Sequence, residues 1–152
     1  MSLYIFGYGS LINMTYNIEL NNPLEKTIYP VKCIHMERSW NVCGKTKTYF
    51  GVQNKKNFIT NGILFKVSEE ELVKLINRET YYESKIISFD RISFYTDPII
   101  FNLNDKIICF YTKLNNNNIC SPKDLSYLYI CLEGCLKISK AFTKEFIENS
   151  TF

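Results

Sequence analysis

Histidine is almost missing from this chain: His35 is the only one among 152 residues. A hydrolytic triad of the Ser-His-Asp kind would have to be built on it, and it lies inside the apolar-rich run Val31–Met36 without the companions such a triad needs. A structural role is expected for it. No block of lysine or arginine stands out and the formal net charge is +3, which gives no footing for a nucleic-acid partner. Uncharged apolar runs such as Ile99–Asn104 and Leu125–Leu132 fall far short of the roughly 20 residues that cross a bilayer, so no membrane partner is expected. The N-terminus shows no basic stretch followed by an apolar segment and a cleavage site, and the chain reads as cytoplasmic. There is no internal repeat, and the run Asn115–Asn118 reads as a polar turn rather than a linker. Residues 1–152 are expected to form a single domain, monomeric or homodimeric.

Cysteine is present but not in a pattern that frames a fold. Cys33, Cys43, Cys109, Cys120, Cys131 and Cys135 fall mostly within strand-like or helical stretches, as small buried hydrophobes would, which suits a reducing compartment. Cys131 and Cys135 would be neighbours on a helix face and supply half of a metal site. With one histidine and no second tight cysteine pair, no metal is expected and the two are read as packing residues.

What the chain does hold is aromatic surface: eleven tyrosines and eleven phenylalanines imply an aromatic-rich interior or cavity. Short apolar or alternating runs predict strands near Leu3–Phe6, Val31–Glu37, Thr48–Val52, Gly62–Val67, Ile86–Tyr95 and Lys106–Tyr111. Asn13–Pro23 reads as a longer loop with room for a helical turn. Ser68 with Glu71 three residues later forms a capping box and starts a helix. Its stripe of Leu72, Leu75 and Ile76, continued by one turn, brings in Glu79 just before Tyr81 and Tyr82. Ser121-Pro122 and Asp124 open a second helix with Leu125, Leu128, Leu132 and Leu136 on its apolar side, and Gly134 permits close packing. Ser139 caps a last helix, Lys140–Glu148, anchored by Phe142 and Phe146. Strands followed by helices make an α+β domain, read as a curled mixed sheet with helices against it.

Two features carry chemistry. At the N-terminus a strand-like Tyr4-Ile5-Phe6 runs into Gly7-Tyr8-Gly9-Ser10-Leu11, a junction where glycines let a ligand approach the backbone and successive N–H groups can form an anion nest. A plain chain-reversing turn has the same local sequence. Glu79 continues an apolar helical stripe. It reads either as a surface carboxylate paired with Arg78, Lys74 or Lys85, or as a base at the mouth of an apolar pocket, its pKa raised by desolvation. Periodicity does not choose between these.

Five ordered segments resemble the gamma-glutamylcyclotransferase-like superfamily, nearer its glutathione-cleaving (ChaC-like) branch and bacterial relatives. They are Phe6–Leu11; Arg38-Ser39-Trp40-Asn41; Thr48–Val52; Asn61–Val67 with the following helix that ends at Arg78-Glu79; and Ser126-Tyr127 with Cys131–Leu136. The resemblance implies a small mixed β-barrel with flanking helices and a cavity at one side. It assigns Glu79 as the catalytic carboxylate, Tyr8, Gly9, Ser10 and Leu11 as the loop holding a gamma-glutamyl head group, and Tyr82 as a pocket residue. Asn77 stands near the place of the family's usual aspartate, and the loop after Asn13 and the segment Val42–Thr48 are brief, which leaves the leaving-group side of the substrate open. Arg38 is a weaker candidate, since its planar fork suits a carboxylate or a sheet edge, and Trp40 reads as a core or cavity-wall aromatic. The implied reaction is cyclisation of a gamma-glutamyl compound to 5-oxoproline with release of an amine, an amino acid or cysteinylglycine, with no cofactor. The alternative function is a non-catalytic domain that binds a gamma-glutamyl ligand.

Overall fold

The computed structural model describes residues 1–113 and 122–152. The Asn115–Asn118 run, Cys120 and the helix-opening Ser121 lie outside the described residues. Among the described residues, seven strands and three α-helices follow in the order β1 (Leu3–Gly7), β2 (Tyr29–Cys43), β3 (Thr48–Val67), α1 (Glu69–Arg78), β4 (Tyr82–Ile87), β5 (Ile92–Phe94), β6 (Lys106–Thr112), α2 (Leu125–Ile138), α3 (Lys140–Asn149) and β7 (Ser150–Thr151). The ladder order is β4-β6-β1-β3-β2-β5, with β7 added beside β2.

The buried strand β1 sits between an antiparallel β3 and a parallel β6, with Ile5 opposite Phe65 and Ile108. Every residue of β1 is buried, which matches its uninterrupted apolar sequence. The two strands expected at Thr48–Val52 and Gly62–Val67 are the ends of one 20-residue strand, β3, because the polar stretch between them pairs with β2 in a long hairpin. That hairpin carries two register shifts, one at His35. His35 takes a left-handed backbone (φ 59°) there, and its Nδ1 accepts from the Asn57 amide. It is a bulge residue, in keeping with the structural role expected of it.

The expected barrel does not form. The end strands of the order, β4 and β5, are joined by no ladder, so the sheet is open, and helices flank it. The predicted single strand Ile86–Tyr95 is where the expectation breaks. A 3₁₀ turn, Phe89–Arg91, interrupts it, so its first part pairs with β6 at one edge and Ile92–Phe94 pairs with β2 at the other.

Local signals hold well in α1 and α3. Both arms of the capping box are present: Glu71 N–H donates to Ser68 Oγ and Ser68 N–H to Glu71 Oε1. Ser139 ends α2 and caps α3, accepting from the Phe142 amide, and Phe142 and Phe146 are buried. In α1, Leu75 is buried whereas Ile76 is exposed. The face of α2 also differs from its leucine pattern, since Leu125 and Leu136 are exposed and Cys131, Gly134 and Cys135 are buried. Gly134 explains the rotation: a Cβ there would meet the backbone of Asn13 at 2.9 Å, so the helix seats its smallest residue on the N-terminal loop. Cys33, Cys109, Cys131 and Cys135 are free and buried, as packing residues should be. Cys43 departs from that expectation, for it is only partly buried and is disulfide-bonded.

Candidate active site

The site begins where β1 ends. Gly7 closes the strand, and the chain turns at once into a 3₁₀ turn, Ser10–Ile12, with Gly9 before it and no side chain capping its first N–H groups. No glycine in the described chain has positive φ, so conformational freedom is not what this loop uses. It uses the missing side chain, because a Cβ on Gly9 would overlap the hydroxyl of Tyr127 from α2. Tyr8 is buried, and its hydroxyl donates to the Phe110 carbonyl of β6 at 2.6 Å, fastening the loop to the sheet.

Glu79 arrives from the opposite wall. Its N–H still donates to Leu75 O at 2.9 Å, so it ends α1, and its carbonyl accepts from the Tyr82 amide, which turns the chain into β4. Helix and loop thus meet over one cavity of about 230 Å³. It is lined by Tyr8, Gly9, Ser10 and Leu11 on the loop side, and by Arg78, Glu79, Tyr81 and Tyr82 on the helix side. Tyr49, Phe110 and Tyr127 complete it.

The Glu79 side chain is only 15% exposed, and burial raises its carboxyl pKa above the ordinary value, with Glu19 adding to the rise and Arg78 opposing it. Glu79 does pair with Arg78, as the surface reading had it, but the carboxylate is mostly buried rather than at the surface. Arg78 Nε stands 3.7 Å from Glu79 Oε1, while its terminal nitrogens reach elsewhere, Nη1 to Asn17 Oδ1 (3.1 Å) and Glu19 Oε2 (3.0 Å) and Nη2 to Ser10 Oγ (3.4 Å). Arg78 therefore ties the helix end to the loop and keeps one ion pair to the glutamate, through Nε at 3.7 Å. Burial pushes the phenols of Tyr8, Tyr82 and Tyr127 well above their ordinary value, so they stay protonated. Tyr82 donates to the Phe50 carbonyl at 2.8 Å. Among the described residues, Glu79 is the one carboxylate of the cavity lining.

Arg38 is not in this cavity. It is fully buried beneath the loop, and all five of its N–H groups are bonded within the protein: to Ser150 Oγ, the Tyr8 and Asn61 carbonyls, Asn61 Oδ1 and the Phe146 carbonyl. Its guanidinium lies 3.7 Å from the Phe146 ring centroid. It positions the loop rather than offering a free fork to a ligand. Trp40 stacks on Phe50 at 4.2 Å and stands behind Tyr127, a core aromatic next to the cavity.

Sequence reasoning did not single out Arg78, Tyr49, Tyr81 or Phe110 as site residues, and it read Ser126-Tyr127 as a helix surface or pocket rim. Arg78, Tyr49 and Tyr127 lie in the family-like segments, but neither those segments nor the abundance of aromatics says which side chains face inward.

No family model matches the sequence and no curated protein does. Solved structures match in shape. A gamma-glutamyl cyclotransferase superposes with a TM-score of 0.72 at 14% identity, covering 100% of this chain and 90% of that one. The chain has the gamma-glutamylcyclotransferase-like fold. A yeast gamma-glutamyl cyclotransferase specific to glutathione shares the fold with a TM-score of 0.60 at 10% identity, covering 97% of this chain and 95% of its own. YkqA from Bacillus subtilis does so at 0.66 and 14%, and this chain, 97% covered, spans 53% of its length. Identities this low carry the gamma-glutamylcyclotransferase-like fold and leave its branches undistinguished. Among the described residues no helix is long and apolar enough to cross a membrane.

Proposed function

We infer that this protein converts a gamma-glutamyl compound to 5-oxoproline, releasing the amine component, in the manner of the glutathione-cleaving branch its sequence segments resemble. The observation that carries the reading is the mostly buried Glu79 carboxylate in one cavity with the Tyr8–Leu11 loop. A substrate α-ammonium has no lone pair with which to attack. Glu79 accepts one of its protons, and the amine closes on the γ-carbonyl five-membered and intramolecular, so no protein nucleophile is needed. The tetrahedral oxyanion and the α-carboxylate are the two negative groups to be held, and the uncapped N–H groups of Ser10 and Leu11 are the donors available for them. One such donor is worth on the order of 3 kcal/mol to an oxyanion.

When the γ-amide C–N bond breaks, Glu79 returns the proton to the departing nitrogen. Overall two protons leave the α-nitrogen and two arrive on the leaving amine, and neither water nor an oxidant is consumed. Tyr8 and Tyr82 shape the walls for the gamma-glutamyl head, and Arg38 holds the loop from behind.

The test is a product assay for 5-oxoproline with glutathione, gamma-glutamyl amino acids and gamma-glutamyl amines in parallel. Glu79→Gln, which keeps the size and removes the base, is expected to lower kcat by about a hundredfold or more. Turnover close to the unmodified protein would eliminate Glu79 from this role. Binding of a gamma-glutamyl ligand with no product across the whole panel would make the protein a binding domain instead.

A further inference from the structure

A second cavity, of about 260 Å³, opens beside the first. Its lining comes from the end of β2 (Asn41, Val42, Cys43), the end of β6 (Thr112, Lys113) and the turn after Glu79 (Thr80, Tyr81). Tyr81 lines both cavities, so the two meet at the residue second after Glu79. The first, at about 230 Å³, is smaller than the roughly 300–1,000 Å³ of pockets that enclose a whole drug-sized ligand. A gamma-glutamyl head held there leaves the rest of its substrate to be placed elsewhere.

The chemistry of the second cavity is one-sided. Among the described residues, no aspartate or glutamate lines it. Thr112 Oγ1 donates to Asn41 Oδ1 at 2.7 Å, which occupies the oxygen of that amide and leaves its NH₂ as the group without a partner among the described residues. Lys113 Nζ donates to the Thr80 carbonyl at 2.9 Å, pairs with no carboxylate among the described residues, and keeps two further N–H groups. A cavity that offers an ammonium and an amide NH₂ and no acid favours an anion.

We propose that this second cavity is the subsite for the leaving group, and that Lys113 and Asn41 there select gamma-glutamyl substrates whose amine component ends in a carboxylate over those whose amine component is neutral or cationic. The inference rests on the cyclisation reading above. Because Lys113 also holds the carbonyl of the residue next to Glu79, removing it could disturb the base as well. A ratio of substrates sharing one head group separates the two effects.

Three probes differ only in the tail: gamma-glutamylglycine (carboxylate), gamma-glutamylethylamide (neutral) and gamma-glutamylputrescine (cationic). For the unmodified protein, kcat/KM is expected to fall in that order, with the carboxylate probe preferred over the neutral one by about fivefold or more, and the preference to shrink as salt is raised. Lys113→Met should bring that ratio toward one, mainly through KM for the carboxylate probe, and Lys113→Arg should preserve it. A structural effect on Glu79 would lower all three probes together and leave the ratio intact. Turnover with equal kcat/KM for the three tails, or a ratio that Lys113→Met does not move, overturns the subsite and leaves cyclisation standing. No 5-oxoproline from any probe overturns both.

Discussion

Replacing Arg38 by lysine keeps the charge and removes the geometry, which makes it a direct measure of what the buried guanidinium does. Five N–H groups of Arg38 meet five acceptor contacts at 2.7–3.2 Å, and lysine has three donors. At least two acceptors therefore lose their donor. Leaving a buried acceptor unpaired costs about 1–3 kcal/mol, so the pair gives about 2–6 kcal/mol. The lower half of that range applies, because the Ser150 hydroxyl already donates to the Phe146 carbonyl and keeps it satisfied. Burial lowers the Arg38 pKa only to about 10, so the charge is present at neutral pH and its environment has to tolerate it in both variants. For a chain of this length about 3 kcal/mol corresponds to a fall in Tm of roughly 6–12 °C. Arg38→Met, which abandons all five contacts, should fall further. The check is thermal and urea unfolding followed by circular dichroism, at pH 7 and with an unchanged m-value. A Tm within about 2 °C of the unmodified protein would refute the claim that these contacts hold the fold. Because one acceptor is the Tyr8 carbonyl, the lysine variant should also show a raised KM, as the loop loses its support from behind.

Three further outcomes follow from the site. On the proposed mechanism Glu79 has to be ionised to act and its pKa is raised, so kcat/KM should fall on the acid side with a midpoint above the ordinary carboxylate value. Glu19→Gln should move that midpoint down and Arg78→Met should move it up, as read from pH-rate profiles. The same raised pKa means that protonation favours the folded chain. The contribution of Glu79 to stability is then greatest below its unfolded value and is lost as pH rises through the folded one, so Glu79→Gln should gain Tm at pH 7 and little at pH 4. Gly9→Ala should cripple turnover, because its methyl overlaps the Tyr127 hydroxyl, and Gly9→Ala with Tyr127→Phe should recover part of the loss. If the double variant is no better than the single one, the Tyr127 contact is not what requires glycine at this position.

Glu79 and the Tyr8–Leu11 loop were legible as two separate signals, and their segments, taken in order, indicated the fold that the solved structures share. Their meeting in one cavity was not legible. It depends on β1 and α1 being brought together by the β1–β3 pairing, a contact between residues about sixty apart in the chain. Arg38 was legible as a fork in search of a partner. Its partners come from distant parts of the chain, Tyr8 and Asn61 on one side and, more than a hundred residues later, Phe146 of α3 and Ser150 of β7.

What the sequence determined by itself is what short-range physics controls: the Ser68–Glu71 capping box, the Ser139 cap, the buried run of β1, and the helical spacing that carries Glu79 one turn beyond Leu75. These depend on neighbours within about one helical turn or one strand, and the chain supplies all of them locally. The tertiary structure alone decided that the sheet stays open at β4 and β5, that α2 turns Gly134 and its cysteines inward together with Leu128 and Leu132 but leaves Leu125 and Leu136 exposed, and that a polar second cavity adjoins the first at Tyr81. Each of those outcomes is set by which distant surfaces come into contact and how closely their backbones pack, a quantity that no local pattern of residues encodes.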